Sequence, residues 1–324
     1  MNSTVSDEAI ELGQAVGDAI DAAGGVDLAR AFERDPSARG RVVDDLLGPL
    51  GIWEIEPRAD QVQLEAAAEA CRAAGARLLM YPIAERLARP EGRDAILLVP
   101  TAGRRVAVHA DLDLDWAAAT LRGDAARLTR RGAPVGEKLS KFVSEIDAEI
   151  DEDTPQENAD LAITLQSWWL LGVLERALAD TILYTNEREQ FGRPIIKYQG
   201  TQFRLSDVVV AVQGLAELAK YTIWSLAQGE PATGLVDAVA LRVSALQAAD
   251  TVMRSGHQLH AAMGFADETN MSQYSRHTQG YRRLPEGETR TQLILADLVA
   301  RNGWTNLFPI EPGAARRDVA RARA

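Results

Sequence analysis

Apolar residues recur every three to four positions over long stretches in the second half of the chain. These stretches cover residues 161–185, 202–228, 234–263 and 289–301. Such spacing places the apolar side chains along one side of a helix. Long helices joined by short links are typical of a bundle. We therefore predict four bundle helices, with helix C-caps at Gly264 and Gly303.

The first part of the chain, residues 6–89, also has a helical composition. Ala, Leu, Glu and Arg dominate, and runs of β-branched residues are absent. The pair Gly48-Pro49 predicts the end of one helix. Residues 60–74 keep their apolar positions on one side and predict the next helix.

The period changes at about residue 93, where short β-rich runs begin. Residues 95–100 and 104–109 flank Thr101-Ala102-Gly103, and together they predict a β-hairpin. Residues 111–115 alternate between polar and apolar and predict a third strand.

Two further stretches complete the β-rich region. Residues 121–135 predict either another strand or a broken helix. The acidic residues 145–160 predict a solvated helix end and linker, because dense like charges repel one another and Pro155 breaks a helix.

The chain is therefore expected to be mainly α with a small β insert. Its 324 residues are enough for two domains or one large one. We predict an N-terminal helical domain over residues 1–92, a reduced β domain over residues 93–152, and a C-terminal four-helix bundle over residues 153–324.

Composition and charge exclude several classes of protein. The chain is 46% hydrophobic and 25% charged, which is ordinary for a globular protein. Its net charge of −12 argues against a nucleic-acid partner. The basic residues 314–324 are a local exception and predict a solvated chain end.

Cysteine and histidine usage gives no sign of a metal or a disulfide. A single cysteine, Cys71, excludes an internal disulfide. His257 and His260 share a helix face, but none of the four histidines has metal-site spacing, and we predict no metal. No signal peptide or membrane span is evident, so we expect a cytoplasmic protein without a membrane partner.

The most specific segment of the chain lies between the first two bundle helices. Residues 188–203 have the sequence R-E-Q-F-G-R-P-I-I-K-Y-Q-G-T-Q-F. Gly192 permits a positive φ and Pro194 is strongly disfavoured inside a helix, so the segment predicts the tight link of a helical hairpin. Arg188 and Arg193 carry planar guanidinium groups that can bind a diphosphate.

This link resembles a family signature. The string E-R-E-Q-F-G-R-P-I-x-x-x-Q-x-x-Q, which starts at Glu187, is similar to the hairpin signature of acyl-CoA dehydrogenases. A later segment, Q-L-H-A-A-M-G-F from Gln258 to Phe265, resembles that family's Q-x-x-G-G-x-G-F. Together the two segments identify roughly the last half of the chain as similar to the family's C-terminal helical domain.

The resemblance implies an FAD-binding role for the link. In the family, the arginine at the place of Arg188 reaches across a subunit interface to the pyrophosphate of the neighbour's FAD, and Phe191 would pack near the adenine. The cofactor-binding residues expected on this basis are Arg188, Gln190, Phe191, Gln199, Gln258 and Gly264.

Two alternatives to cofactor binding remain open. Arg188 could instead form a surface ion pair with Glu187 or Glu189. At the second motif, the family's Gly-Gly is replaced by Ala261-Ala262, whose methyl groups could crowd a phosphate. Gly264 could then be a plain helix cap, with Gln258 exposed to solvent.

The resemblance also implies a catalytic base. Many family members carry a glutamate in the sequence Y-E-G-T that takes the α-proton of an acyl-CoA thioester while the flavin takes the β-hydride. Glu286 lies at the matching place, although Pro285 and Glu288 depart from the pattern. Glu286 could equally belong to an acidic helix start. Relatives that place the base on the first bundle helix would have it at Ala162, which cannot act as one.

The β region lacks the flavin-binding sequences of complete family members. Neither T-E-P-x-x-G-S-D nor W-x-x-x-G is present, and the stretch between Gly92 and Glu152 is short. The resemblance therefore implies the short subunit of an α2β2 heterotetramer. Such a subunit would bind FAD and act on an acyl-CoA, in some cases steroid-derived, together with a full-length partner. The alternative is a non-catalytic scaffold subunit.

Overall fold

The structure is a computed structural model that describes residues 4–103, 105–135, 141–228 and 231–303. The helices before the sheet are α1 (Asp7–Ala22), α2 (Asp27–Arg34), α3 (Arg39–Leu47), α4 (Gln61–Ala76) and α5 (Ile83–Leu87). The strands of the sheet are β1 (Ala95–Leu98), β2 (Val106–Val108), β3 (Trp116–Ala119), β4 (Asp124–Pro134) and β5 (Val143–Pro155).

The second half of the chain is almost entirely helical. Its elements are α6 (Ala159–Glu187), β6 (Glu189–Gln190), β7 (Arg193–Pro194), α7 (Gln199–Ala227), α8 (Pro231–His260), α9 (Asn270–Arg283) and α10 (Glu288–Asn302). The predicted class, mainly α with a small β insert, is confirmed. The basic residues 314–324 lie outside the described part of the chain.

The N-terminal helices pack on the bundle through α4, which contacts both α1 and α6. Helices α4 and α6 cross where each carries a glycine. A Cβ on Gly75 would lie 1.9 Å from the carbonyl oxygen of Trp169, and a Cβ on Gly172 would lie 1.9 Å from that of Arg72. The two backbones therefore touch, and no other residue type fits either position.

The sheet has the strand order β1-β3-β4-β5-β2, and this order corrects the predicted hairpin. Strand β1 pairs with β3 in parallel, whereas β2 pairs with β5 at the opposite edge. The turn-like residues 101–103 therefore lead from one edge to the other. Residues 111–115 are not a strand, which begins instead at Trp116.

The acidic stretch is also corrected, because residues 143–155 form strand β5 and not a helix end and linker. Its carboxylates alternate with buried Ile146 and Ala148 and face arginines of β4. Arg130 bonds Asp147 at 2.7 Å across the ladder. Cross-strand pairing thus offsets the like-charge repulsion on which the prediction depended.

Up to residue 303, where the described part of the chain ends, the C-terminal bundle contains the four predicted helices and one more. Helices α6, α7, α8 and α10 cover the predicted stretches, each with ends shifted by a few residues. Helix α9 was not predicted, because polar residues such as Gln273, His277 and Thr278 are buried among the apolar residues of its inner side. Gly303 ends α10 with φ 73°, as predicted. The predicted C-cap at Gly264 is wrong, because α8 ends at His260 and Gly264 lies within the short 3₁₀ helix that follows.

A buried polar network joins the N-terminal helices, the sheet and the bundle. The guanidinium of Arg39 lies 2.9 Å from His109 Nδ1, and His109 Nε2 lies 2.7 Å from the hydroxyl of Tyr281. Because arginine only donates, Nδ1 accepts and Nε2–H donates to Tyr281. The apolar core is likewise continuous across the predicted domain boundaries, which stay a prediction.

None of the described helices combines the length and the apolar character needed to cross a bilayer.

Candidate functional site

The link between α6 and α7 is a miniature β-hairpin. Strands β6 and β7 pair through Gln190 and Arg193, and the turn between them is Phe191-Gly192. Both turn residues have positive φ, 52° and 81°, which is the geometry of a two-residue turn of type I′. Gly192 adopts this conformation freely, as the sequence predicted, but Phe191 does so at a steric cost.

Phe191 is also 92% exposed at the tip of this hairpin. An aromatic ring in water gains nothing from burial, and a left-handed backbone adds strain. Both costs would be offset if another surface covered the ring. The exposure and strain of Phe191 therefore indicate that the tip of the hairpin packs against another molecule.

The two arginines of the hairpin have different environments. The Arg193 guanidinium carbon lies 4.2 Å from the ring centroid of Tyr198, whose hydroxyl donates to the carbonyl of Gln190 at 2.9 Å. Arg188 is exposed, and within the described residues its guanidinium forms no ion pair with either neighbouring glutamate. The alternative, a surface ion pair with Glu187 or Glu189, is therefore not seen in the structure, and the Arg188 guanidinium is available to a ligand.

A ring contact brings the hairpin next to the second motif. Tyr184 stacks on His260 with ring centroids 4.2 Å apart and an angle of 21°. Tyr184 lies one helical turn before Arg188, and His260 follows Gln258 by two residues, so both expected cofactor residues lie at the same end of the bundle. Gln258 is exposed there.

Helix polarity at this end of the bundle is mixed. Helices α6 and α8 point their carbonyl ends at it, which disfavours an anion. Helix α7 begins there at Gln199, which is exposed, and the side chain of the N-cap residue Tyr198 does not bond the first N–H groups of the helix. Its free N–H groups favour an anion. Most of the positive charge must nevertheless come from Arg188.

In the second motif, one alanine adopts a backbone conformation that is typical of glycine. Ala261 has φ 51°, in the region that glycine adopts most easily. Gly264 is buried, and a Cβ there would lie 3.2 Å from His257 Cα. The structure thus gives Gly264 a packing role, and close approach of a phosphate to it stays a prediction.

The two histidines of this motif are engaged with different rings. His260 faces Tyr184, while His257 stacks on Phe265 at 4.5 Å. Burial lowers the pKa of both imidazoles. Their neutral forms are therefore favoured at neutral pH, and neither adds charge for binding a diphosphate.

Glu286 lies elsewhere, in the loop between α9 and α10. It is 8% exposed, and its Oε1 accepts hydrogen bonds from the N–H and the hydroxyl of Thr101, at 3.0 and 2.7 Å. The carboxylate therefore does not cap α10, whose N-cap is Gly287. A base role would require Glu286 to act while held by Thr101.

Arg242 is a buried residue that the sequence reasoning missed. Its Nη2 donates to the carbonyls of Tyr281, Leu284 and Glu286, at 3.1, 2.6 and 3.2 Å. It fixes the backbone of the loop that carries Glu286. The sequence signal that could have identified it is an arginine at a position where the helical spacing of α8 predicts a buried apolar residue.

A cavity of about 780 Å³ opens at the far end of α6. With 29 residues at ~1.5 Å each, α6 separates it from Arg188 by roughly 40 Å. Its two arginines are neutralised: Arg58 pairs with Asp160 and Arg122 pairs with Asp297. This cavity is therefore a poor binding site for a polyanion. Ala162, one turn into the helix, is fully buried.

Comparison with known proteins identifies the bundle. Residues 163–301 match the family model "Acyl-CoA dehydrogenase, C-terminal domain". The short-chain-specific acyl-CoA dehydrogenase of Megasphaera elsdenii is 29% identical over 125 residues, which are 39% of this chain and 32% of that protein. The chain thus spans about a third of the length of this relative.

Solved structures extend the likeness to almost the whole chain. The ChsE4-ChsE5 complex from Mycobacterium tuberculosis contains a chain with TM-score 0.71 and 18% identity, covering 93% of this chain and 99% of that one. A Tcur3481-Tcur3483 steroid ACAD variant gives TM-score 0.70 and 16% identity, covering 92% and 99%. At these identities the likeness establishes the acyl-CoA dehydrogenase fold.

Proposed function

We propose that this chain, whose residues 163–301 match the model of the C-terminal domain of acyl-CoA dehydrogenases, is a subunit of a hetero-oligomeric acyl-CoA dehydrogenase. A longer partner subunit houses most of an FAD, and this chain contributes the hairpin of Arg188 to the cofactor's diphosphate. The assembly oxidises an acyl-CoA thioester between its α and β carbons. We further propose an α2β2 heterotetramer and a bulky, steroid-derived acyl group.

The observation that carries this proposal is the exposure of two side chains of the hairpin. Arg188 is exposed without an ion pair in the described residues, and Phe191 beside it is 92% exposed in a strained conformation. A guanidinium offers a diphosphate two parallel charge-assisted bonds. Such an arrangement fits a hairpin that inserts against a cofactor held by a neighbour.

The small sheet supports a division of labour between two chains. Its five strands include two of only three or four residues at the edges, and the carboxylate of Glu286 is bonded to Thr101. The chain thus offers little surface to enclose a flavin by itself. Two structural neighbours with this fold are the ChsE4-ChsE5 complex and the Tcur3481-Tcur3483 steroid ACAD.

The residues present fit the diphosphate of FAD. Arg188 supplies the charge, and the side-chain amides of Gln190, Gln199 and Gln258 supply exposed donors and acceptors at the same end of the bundle. FAD, when bound, would accept the hydride from the β carbon. This chain's own residues would hold and orient the dinucleotide, which brings the reacting groups together.

The test is the flavin content of an assembled complex. The chain is co-expressed with a candidate full-length partner, and the ratio of FAD to each chain is measured after purification. Arg188→Ala should weaken FAD binding by roughly 10- to 100-fold, as expected for a lost charge-assisted pair. Arg193→Ala is the matched control, because Arg193 already faces Tyr198.

The results separate the proposal from its rivals. One FAD per pair of chains, lost in Arg188→Ala with the oligomer intact, supports the proposal. A purified single chain that retains stoichiometric FAD and oxidises acyl-CoA would contradict the division of labour.

A scaffold subunit without cofactor contact is the second candidate. Ala261 supports it, because methyl groups occupy the place where the family resemblance implies Gly-Gly. Under this reading Arg188→Ala would leave FAD content unchanged, while truncation of the hairpin tip would dissociate the complex.

The catalytic base is a separate part of the proposal. Glu286 is the only carboxylate that the family resemblance assigns to this chain, yet Thr101 holds it by two bonds. Glu286→Gln in the assembled enzyme tests it: a loss of turnover with FAD content unchanged would support a base role. Unchanged turnover would leave proton abstraction to the partner.

A further inference from the structure

Two helices of the bundle bind the main chain at Glu286. Arg242 of α8 donates from Nη2 to the carbonyl of Glu286 at 3.2 Å, and the hydroxyl of Thr291 on α10 donates to the same carbonyl at 3.2 Å. The Nη2 group of Arg242 also reaches the carbonyls of Tyr281 and Leu284, at 3.1 and 2.6 Å. The loop between α9 and α10 is therefore fixed to the bundle by its backbone.

The burial of Arg242 is costly. Its side chain is 3% exposed, and burial lowers its pKa to about 10, so it is still charged at neutral pH. The three acceptors are main-chain carbonyls, and Nε is buried without a hydrogen-bond partner in the described part of the chain. An apolar side chain would avoid this cost. Ionisable groups buried in this way are concentrated at functional sites.

The two polar ends of Glu286 have separate partners. Its carbonyl is bonded to Arg242 and Thr291, which belong to the bundle. Its carboxylate accepts from the N–H and the hydroxyl of Thr101, in the segment after β1. The negative charge of Glu286 also opposes the effect of burial on the Arg242 pKa. The side chain can therefore rotate away from Thr101 while its main chain stays fixed.

We propose that Arg242 is a positioning residue for proton abstraction by Glu286. This inference rests on the proposed function, because it requires Glu286 to be the base. Arg242 fixes the main chain, and the carboxylate leaves Thr101 by rotation about its own side-chain bonds. One carboxylate oxygen then takes the α-proton of the acyl-CoA. The electron pair of the broken C–H bond forms the α–β double bond, while the β-hydride departs to FAD.

The substitution Arg242→Lys separates position from charge. Lysine keeps the positive charge, but its ammonium is a point charge on a flexible stem and lacks the planar fork that reaches three carbonyls. Misplacement of a reacting group by about 1 Å can slow a reaction by roughly 100-fold. We expect Arg242→Lys to lower kcat by roughly 10-fold, with KM and FAD content unchanged.

A double-mutant cycle shows whether Arg242 acts through Glu286. The chain is co-expressed with its full-length partner, and turnover of cholanoyl-CoA is measured for Arg242→Lys, Glu286→Gln and the double variant. If Arg242 positions the base, Arg242→Lys has no further effect once Glu286 is replaced. Equal effects of Arg242→Lys in both backgrounds would show a structural role and overturn the inference.

Amide hydrogen exchange gives a readout that does not depend on turnover. Exchange in residues 284–291 of the complex, followed by mass spectrometry, should be faster in Arg242→Lys and unchanged elsewhere. Arg282→Lys is the matched control. The Nη2 of Arg282 donates to the carbonyl of Ser275 within α9, at 3.2 Å, and its Nε is likewise buried without a partner in the described residues. This control should leave kcat and the exchange of residues 284–291 unchanged.

Thr291→Val is a second variant for the case in which Arg242→Lys does not fold. It removes the hydroxyl bond to the Glu286 carbonyl without changing any charge. We expect it to lower kcat by roughly 3-fold, because the bond from Arg242 remains. Unaltered kcat in Thr291→Val and in any folded Arg242→Lys, with turnover lost in Glu286→Gln, overturns the positioning role and leaves the base standing.

Two further results would overturn the inference together with part of the proposed function. Full turnover in Glu286→Gln removes the base from this chain, but it leaves the FAD role of Arg188 untouched. No turnover of cholanoyl-CoA by the unaltered complex contradicts the proposed reaction of a steroid-derived acyl-CoA. A fall of kcat in proportion to FAD content would also count against Arg242, because a merely structural defect has that effect.

Discussion

The hydroxyl of Thr101 donates a hydrogen bond of 2.7 Å to the carboxylate of Glu286, and the N–H of Thr101 donates a second to the same oxygen. This contact ties the segment after β1 to the loop before α10. We expect Thr101→Val to keep the N–H bond, lose the hydroxyl bond and lower the free energy of unfolding by about 1–2 kcal/mol. Urea denaturation measures the change.

Thr289→Val is the control for this substitution. Thr289 is exposed in the first turn of α10, so its loss should change stability by less than about 0.5 kcal/mol. Equal effects of the two substitutions would show that the Glu286 contact contributes nothing to stability.

The crossing of α4 and α6 should tolerate no side chain. Gly172→Ala places a methyl group 1.9 Å from the Arg72 carbonyl oxygen, so the helices must separate. We expect a loss of more than about 3 kcal/mol, or failure to fold. Gly214→Ala on α7 is the matched control: nothing lies within 4 Å of its Cβ position, and it should stabilise the helix by roughly 0.5–1 kcal/mol. Thermal unfolding of both variants gives the comparison.

The backbone at the second motif is strained, and glycine should relieve it. Ala261 has φ 51°, so Ala261→Gly removes the clash of its Cβ in the left-handed region. We expect a gain of about 0.5–1 kcal/mol in unfolding free energy, because the relief exceeds the entropy cost of glycine. Ala262→Gly, next to it, has no positive φ to relieve and should not stabilise. A destabilised Ala261→Gly variant would contradict the inferred strain.

Glu85 should make stability depend on pH. It is 2% exposed, Gln166 donates to it at 2.8 Å, and burial raises its pKa from 4.5 to about 7. Between these values the folded chain keeps a proton that the unfolded chain releases. The contribution of Glu85 to the free energy of unfolding is therefore greatest below about pH 4.5. It falls as pH rises to about 7 and is constant above that.

The variant Glu85→Gln isolates this effect. It keeps the bond from Gln166 Nε2 but does not titrate, so its stability relative to the unaltered chain should rise from pH 5 to pH 7 and then level off. His277, whose pKa burial lowers to about 3, acts in the opposite direction as pH falls, but it is present in both proteins and cancels. A difference that does not change with pH, measured by urea denaturation, would rule out a buried titrating glutamate.

Local pattern alone determined helices α6, α7, α8 and α10, the link between α6 and α7, and the positive φ of Gly192. An apolar stripe, a glycine and a proline act on their own segment, so their effects can be predicted without the rest of the fold. The sequence also identified Arg188 as a guanidinium that could bind a diphosphate, but it left open an ion pair with Glu187 or Glu189.

Tertiary structure decided everything that depends on contacts between distant segments. The pairing of β1 with β3, the charge pairs that make residues 143–155 a strand, and the polar burial of α9 all depend on partners far along the chain. The same holds for Glu286, whose bonds run to Thr101, 185 positions away. Hydrogen bonds and packing between such segments carry no local signal, and they determine which candidate residues meet.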